Sequence, residues 1–169
     1  TLFRSIRSSF ILKILFCLTL ISHIHLKSTS FIKQFGASEN DIAESVLVDP
    51  IDRSIVIVGI TDGVLGDKNY GGMDIYVSKM NSAGEILFIK QIGTGNYDFG
   101  YFVKIDIDGS IIVIGDTNGE FPDNVRSGYF DSVVIRLNSL GDVIFIKQFG
   151  TENYLSPKFA AIDIFDRSI

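Results

Sequence analysis

An all-β protein is expected from three features of this 169-residue chain. Its apolar residues are dominated by Ile, Val, Phe and Tyr, side chains that suit a pleated, half-buried surface better than a helix. A six-residue string returns at a fixed interval, the mark of a repeat architecture. Pairs of apolar runs are separated by short Asn-, Asp- and Gly-containing turns, the pattern of antiparallel hairpins. With 46% hydrophobic and 21% charged residues the chain is globular, neither disordered nor collagen-like.

The repeat sets the organisation. Phe31-Ile32-Lys33-Gln34-Phe35-Gly36 recurs as Phe88-Ile89-Lys90-Gln91-Ile92-Gly93 and again as Phe145-Ile146-Lys147-Gln148-Phe149-Gly150, each time after 57 residues. Asp49, Asp106 and Asp163 keep that interval, and so do Asp74 and Asp131. Gly59 and Gly115 are 56 apart, because Pro50-Ile51-Asp52 is matched by the shorter Ile107-Asp108. The division is therefore an N-terminal segment 1–30, units 31–87 and 88–144, and a partial unit 145–169, about 2.4 units in all.

Each unit offers four strands. In the first they fall near Ala43–Val48, Ile55–Ile60, Ile75–Met80 and Glu85–Gln91. In the second they fall near Gly100–Ile105, Ile111–Ile114, Ser132–Leu137 and Val143–Gln148. Asn81–Glu85 and Asn138–Asp142 are turns with Gly where positive φ is needed, and Asp108-Gly109 is another. Ile55–Val58 and Ile111–Ile114 are continuous β-branched runs, which belong to strands covered on both faces. Four-stranded antiparallel sheets stacked between copies of themselves meet that demand, as the blades of a partial β-propeller do. A parallel β-helix is disfavoured by the tight hairpins, and a two-sheet sandwich by the lack of clean alternation. A closed ring needs at least ~4 blades, so a longer gene product is expected; as it stands, the array is expected to self-associate through open sheet edges.

Residues 1–30 carry Arg4, Arg7, Lys13 and Lys27 and no acid, leaving 11 basic against 20 acidic residues in the remainder. Basic residues, then the apolar run Ile14–Ile21, then Ser28 and Ser30 in small-x-small spacing describe an export signal over 1–30 or, if it is retained, an N-terminal anchor. The run is shorter than the ~20 residues of a membrane span, so no stable span is expected beyond the signal and the protein is expected outside the cell, at its surface or in its envelope. The acidic body argues against nucleic acid as a partner. His23, His25 and Cys17 all lie in the first segment, so removing it would leave no thiol or imidazole for nucleophilic or metal catalysis.

The unit resembles the SBBP type of bacterial β-propeller repeat. That pattern runs aromatic-x-[KR]-Q-x-G, a Gly/Asn-rich turn into Asp, a strand ending in Asp, a strand ending in Gly, and Asp before a strand closed by [KR]-x-[ND]. Here it reads Phe31, Gly36, Asp41, Asp49, Gly59, Asp74, Lys79 and Asn81, then Phe88, Gly93, Asp98, Asp106, Gly115, Asp131, Arg136 and Asn138, then Phe145, Gly150 and Asp163. Phe stands three times where the family usually has Trp, and Leu155 stands where Asp41 and Asp98 stand. The resemblance implies an exported or surface protein without assigned catalysis, serving as a binding scaffold.

Three site readings follow. Asp49 with Asp52, Asp163 with Asp166, and above all Asp106 with Asp108 place carboxylates near one turn; no cofactor is required, and calcium is the ion whose oxygen chemistry they approach. Their simpler role is to bond the turn's own amides. The two loops that differ between copies, 61–73 and 116–130, carry Tyr70, Phe121, Arg126 and Tyr129, the candidate contacts for a protein or glycan. The leading function is thus a non-catalytic binding or scaffold module. The alternatives are an extracellular propeller enzyme using Asp carboxylates, which recurrence at every unit disfavours, and a structural spacer of an adhesin.

Overall fold

The computed structural model describes residues 30–152 and residue 157. The expected export signal with Cys17, His23 and His25, and Asp163 of the third copy, lie outside the described residues. Within them the chain forms eight strands and no helix: β1 (Asp41–Val48), β2 (Ile55–Thr61), β3 (Asp74–Met80), β4 (Ile86–Ile92), β5 (Asp98–Ile105), β6 (Ile111–Thr117), β7 (Asp131–Leu137) and β8 (Val143–Phe149). They make two four-stranded antiparallel sheets, each in simple chain order, β1-β2-β3-β4 and β5-β6-β7-β8. The expected strands are all present. β1 and β5 start two residues earlier than the apolar runs, and β6 ends three later, because the polar residues there pair as well: Asp41 opposite Thr61 opposite Asp74, and Asp98 opposite Thr117 opposite Asp131.

Local chemistry makes the two sheets alike. At the β3–β4 turn the Asn81 side-chain oxygen accepts the amides of Ala83 (2.9 Å) and Glu85 (3.0 Å), and Gly84 takes φ 83°. At the β7–β8 turn Asn138 accepts Leu140 and Asp142, both at 2.9 Å, and Gly141 takes φ 92°. β1 bulges between Ala43 and Ser45, and β5 between Gly100 and Phe102. Opposite each bulge stands the repeated glycine: a Cβ on Gly59 would overlap the Ile42 carbonyl, and one on Gly115 the Phe99 carbonyl. The recurring Gly is thus required by a bulged neighbour strand that bends into its space.

The sheets pack face to face with β5 lying against β1, β2 and β3. Val56, Val58, Ile75, Val77 and Ile92 of the first sheet form one core with Val103, Ile111, Val113, Val133, Ile135 and Leu137 of the second, and Phe121 from the β6–β7 loop completes it. Burying each such side chain is worth about 1.5–3 kcal/mol. At Gly100 the sheets approach closely: a Cβ there would sit 2.8 Å from a methyl of Ile75 and 3.1 Å from one of Val58. The register shows that the two contacting faces are not equivalent. The first sheet uses the face carrying Val56, Val58, Ile75 and Val77; the second uses the opposite one, carrying Val103, Val113, Val133 and Ile135. Stacking is therefore head to tail, which is why both faces of β2 and β6 are apolar.

A second inter-unit contact repeats. The Phe88 ring on β4 covers Gly141, and Phe31 covers Gly84 in the same way. Phe31 thus holds the position of Phe88 although residues 31–37 form no strand.

Candidate functional site

Two ends of the sheets collect the repeated polar residues. At the end where β2 turns into β3, the strand-initial carboxylates accept loop amides and buried side-chain donors. Asp74 Oδ2 accepts the Tyr70 amide at 2.7 Å and Gln91 Nε2 at 2.8 Å. Gln91 Nε2 also donates to the Gly63 carbonyl at 2.9 Å, while its Oε1 accepts the amides of Leu65 (2.9 Å) and Gly66 (3.1 Å). One buried amide thus ties the loop between β2 and β3 to β4. The second sheet repeats the device: Gln148 Nε2 donates to Asp131 (2.9 Å) and to the Gly119 carbonyl (3.0 Å), and its Oε1 accepts the Phe121 amide at 3.1 Å. Asp131 also accepts the amides of Ser127 (2.7 Å) and Gly128 (2.9 Å). A Cβ at Gly93 would overlap the Asp74 carboxylate, and one at Gly150 that of Asp131, so the glycine closing the repeated string makes room for the carboxylate. Gln91 and Gln148 carry no role in the sequence reading; their recurrence as the one uncharged polar letter in an apolar string is the signal that marks them.

Asp98 accepts the Thr94 amide at 2.6 Å, the Thr94 hydroxyl at 3.0 Å and the Thr117 hydroxyl. Burial pushes the carboxyls of both Asp74 and Asp98 above their usual range, and the charge of Asp74 pushes Asp98 further. Both side chains are fully buried.

At the opposite end, the candidate calcium carboxylates face a cation of the protein itself. The Arg136 guanidinium donates to Asp106 at 2.7 Å and to Asp108 at 3.2 Å. It also donates to the Ser110 hydroxyl at 2.8 Å. In the first sheet Lys79 Nζ lies 3.1 Å from Asp52. Hydrogen bonding from Ser54, with the Lys79 ammonium beside it, holds the Asp52 carboxyl down at about 2. The remaining turn oxygens bond amides, Asp49 that of Ile51 (2.8 Å) and Asp108 that of Ser110 (2.9 Å). Among the described residues no three His, Cys, Asp or Glu side chains are grouped to hold a metal ion. Lys79 and Arg136 thus pair within their own sheet with the turn joining its first two strands; Asp74 and Asp131 sit at the far end of the same strands.

The four loop candidates separate. Tyr129 is exposed and stands edge-on to Phe130, with centroids 5.4 Å apart. Arg126 folds back on its own loop, donating to the carbonyls of Gly128 (2.8 Å) and Tyr129 (3.3 Å). Tyr70 is half-exposed under the Lys68 ammonium, 4.3 Å from its ring centre. Phe121, at 2% exposure, belongs to the core rather than to the loop surface. Tyr70 and Phe121 nevertheless border one space: with Lys90, Ile92, Pro122 and Ile146 they line a cleft of about 270 Å³.

An aromatic row joins this end. Tyr97, Phe99 and Tyr101 alternate along β5 and its approach with rings 6.4 and 6.2 Å apart and nearly parallel, and Phe130 lies 5.8 Å from Phe99. Its signal in the sequence is the aromatic-x-aromatic-x-aromatic spacing of one strand face. No helix among the described residues is long and apolar enough to cross a membrane. Comparison with family models and with curated proteins returns no match to this chain.

Proposed function

We propose that this protein is an exported, non-catalytic β-propeller repeat protein of the SBBP type, acting as a binding scaffold for a protein or glycan. The observation that carries the reading is a division of labour. The residues common to both units are engaged in the same internal bonds in each: Asp74 with Gln91 as Asp131 with Gln148, and Lys79 with Asp52 as Arg136 with Asp108. The residues that differ, Tyr70 from one loop and Phe121 and Pro122 from the other, converge on one cleft. Divergent loops meeting on a repeated frame are where a scaffold places recognition. Head-to-tail stacking of equal sheets supports the propeller reading. The enzymatic alternative gains no support from Asp74 and Asp98, whose fully buried carboxylates are closed to a substrate.

The test is a glycan array and an extended-peptide library probed with the whole protein, then with Tyr70→Ala and Tyr129→Ala. Both side chains are partly exposed, so the fold should survive, as far-UV circular dichroism will check. A ligand whose affinity falls about tenfold or more in Tyr70→Ala supports the cleft; one lost only in Tyr129→Ala moves recognition to the exposed part of the second loop, and a ligand indifferent to both removes the placement.

A further inference from the structure

We propose that the cleft bordered by the two divergent loops takes a large apolar side chain of a protein partner, with an acidic residue beside it in the partner's chain, and not a sugar. The proposal rests on that cleft being the place of recognition and adds the chemistry of what enters it. The lining runs from buried Phe121 and Ile92, 2% and 5% exposed, to Tyr70 and Val143, 37% and 38% exposed. Its side chains are apolar except for Lys90, Gln91 and the Tyr70 hydroxyl. At about 270 Å³ the cleft is smaller than those of about 300–1,000 Å³ that enclose a whole small ligand. It is of a size for one protruding side chain.

Hydrogen-bonding chemistry decides against a sugar. Hydroxyls taken out of water need partners, and leaving them without is costly. Gln91 has none to spare: its Nε2 donates to the Gly63 carbonyl and to Asp74, and its Oε1 accepts the Leu65 and Gly66 amides. A face of the Tyr70 ring is already taken by the Lys68 ammonium, 4.3 Å from its centre. Charge decides the neighbour. No Asp or Glu lines the cleft, although the body of the chain is acidic. Lys90 does line it, and its ammonium lies 3.5 Å from Asp67, whose side chain is 76% exposed. A pair that open is worth little, so a carboxylate brought by a partner can replace it. Lys68 adds a second ammonium beside Tyr70. Two ammonium groups at an apolar cleft complement an apolar side chain next to Asp or Glu.

The test measures binding of fluorescent extended peptides to the whole protein by anisotropy, with a panel of oligosaccharides alongside. One peptide set centres Leu or Phe beside Asp or Glu. A second replaces the acid by Lys, and a third replaces the Leu or Phe by Ser. The first set should bind about tenfold or more tighter than either other set, and less tightly as salt is raised. Lys90→Glu should reverse the preference for acid over Lys, and Lys90→Gln should abolish it, with the far-UV circular dichroism unchanged. Failure of every peptide set to bind overturns the proposal. So does equal binding of the acid and Lys sets, or a preference that both Lys90 variants leave intact. An oligosaccharide that binds and is lost in Tyr70→Ala also overturns it, while keeping the cleft as the place of recognition. Ligands that bind and are all indifferent to Tyr70→Ala remove the cleft itself, and the proposal with it.

Discussion

Arg53 holds φ 62° in the turn between β1 and β2, where Gly109 holds φ 79° in the turn between β5 and β6. A side chain in the left-handed region costs free energy that Gly does not incur. Arg53→Gly is therefore expected to stabilise the fold by about 0.5–1 kcal/mol, read as a higher urea midpoint at unchanged m-value. Three carboxylates give stability a defined pH dependence. Asp74 and Asp98 are raised by burial above the ordinary 3.8, so their contribution is full below that value and is lost as pH rises through their folded values. Asp52 is lowered to about 2, so its contribution is full above 3.8 and is lost as pH falls from there toward 2. Melting temperature should thus rise as pH is lowered from neutral toward the ordinary carboxylate range, then fall in stronger acid. Asp98→Asn should flatten the first limb and leave the second; an unaltered first limb would show that Asp98 does not drive it.

At the scale of the element, one side chain makes four of the bonds that hold the loop between β2 and β3. Gln91→Ala removes four hydrogen bonds, takes the acceptor from the Leu65 and Gly66 amides and leaves Asp74 Oδ2 with the Tyr70 amide alone. A cost of about 2–4 kcal/mol is expected, with faster proteolysis within 63–70. Gln148 makes a similar set from a less buried position, so Gln148→Ala should cost less by the same denaturation measurement. Arg136 already occupies both carboxylates of the turn between β5 and β6, and calcium added to the wild-type protein is expected to leave its melting temperature unmoved. A rise with calcium concentration would instead report a site that binds the folded state.

At the scale of the whole molecule, the two sheets meet through a glycine. Gly100→Val would drive methyl groups into Val58 and Ile75, and a loss of about 1–3 kcal/mol is expected. Ala43 occupies the same repeat position on the first sheet and is exposed, so Ala43→Val should be near neutral. Equal effects of the two substitutions would contradict head-to-tail stacking. Phe121 teaches the corresponding lesson about loops. Between Glu120 and Pro122 in a polar stretch it reads as a surface contact, yet its side chain is buried in the core with residues of both sheets.

The eight strands, their antiparallel order and the turn glycines were legible in the chain itself, because each depends on neighbours in sequence: β-branched runs, Asn and Asp that cap their own turns, Gly at positive φ. The 57-residue interval likewise announced two equal sheets. What the repeated residues do was not legible, because their partners are distant in sequence. Gln91 reaches Gly63 and Asp74, 28 and 17 residues away, Arg136 reaches Asp106 thirty residues away, and Gly59 is required by the bulge in β1. Only the tertiary structure decided that the carboxylates serve loops and turns, which face of each sheet is covered, and that equivalent valines, Val46 and Val103, have opposite surroundings. Repetition in sequence makes the surfaces equal; position in the stack determines which of them is buried.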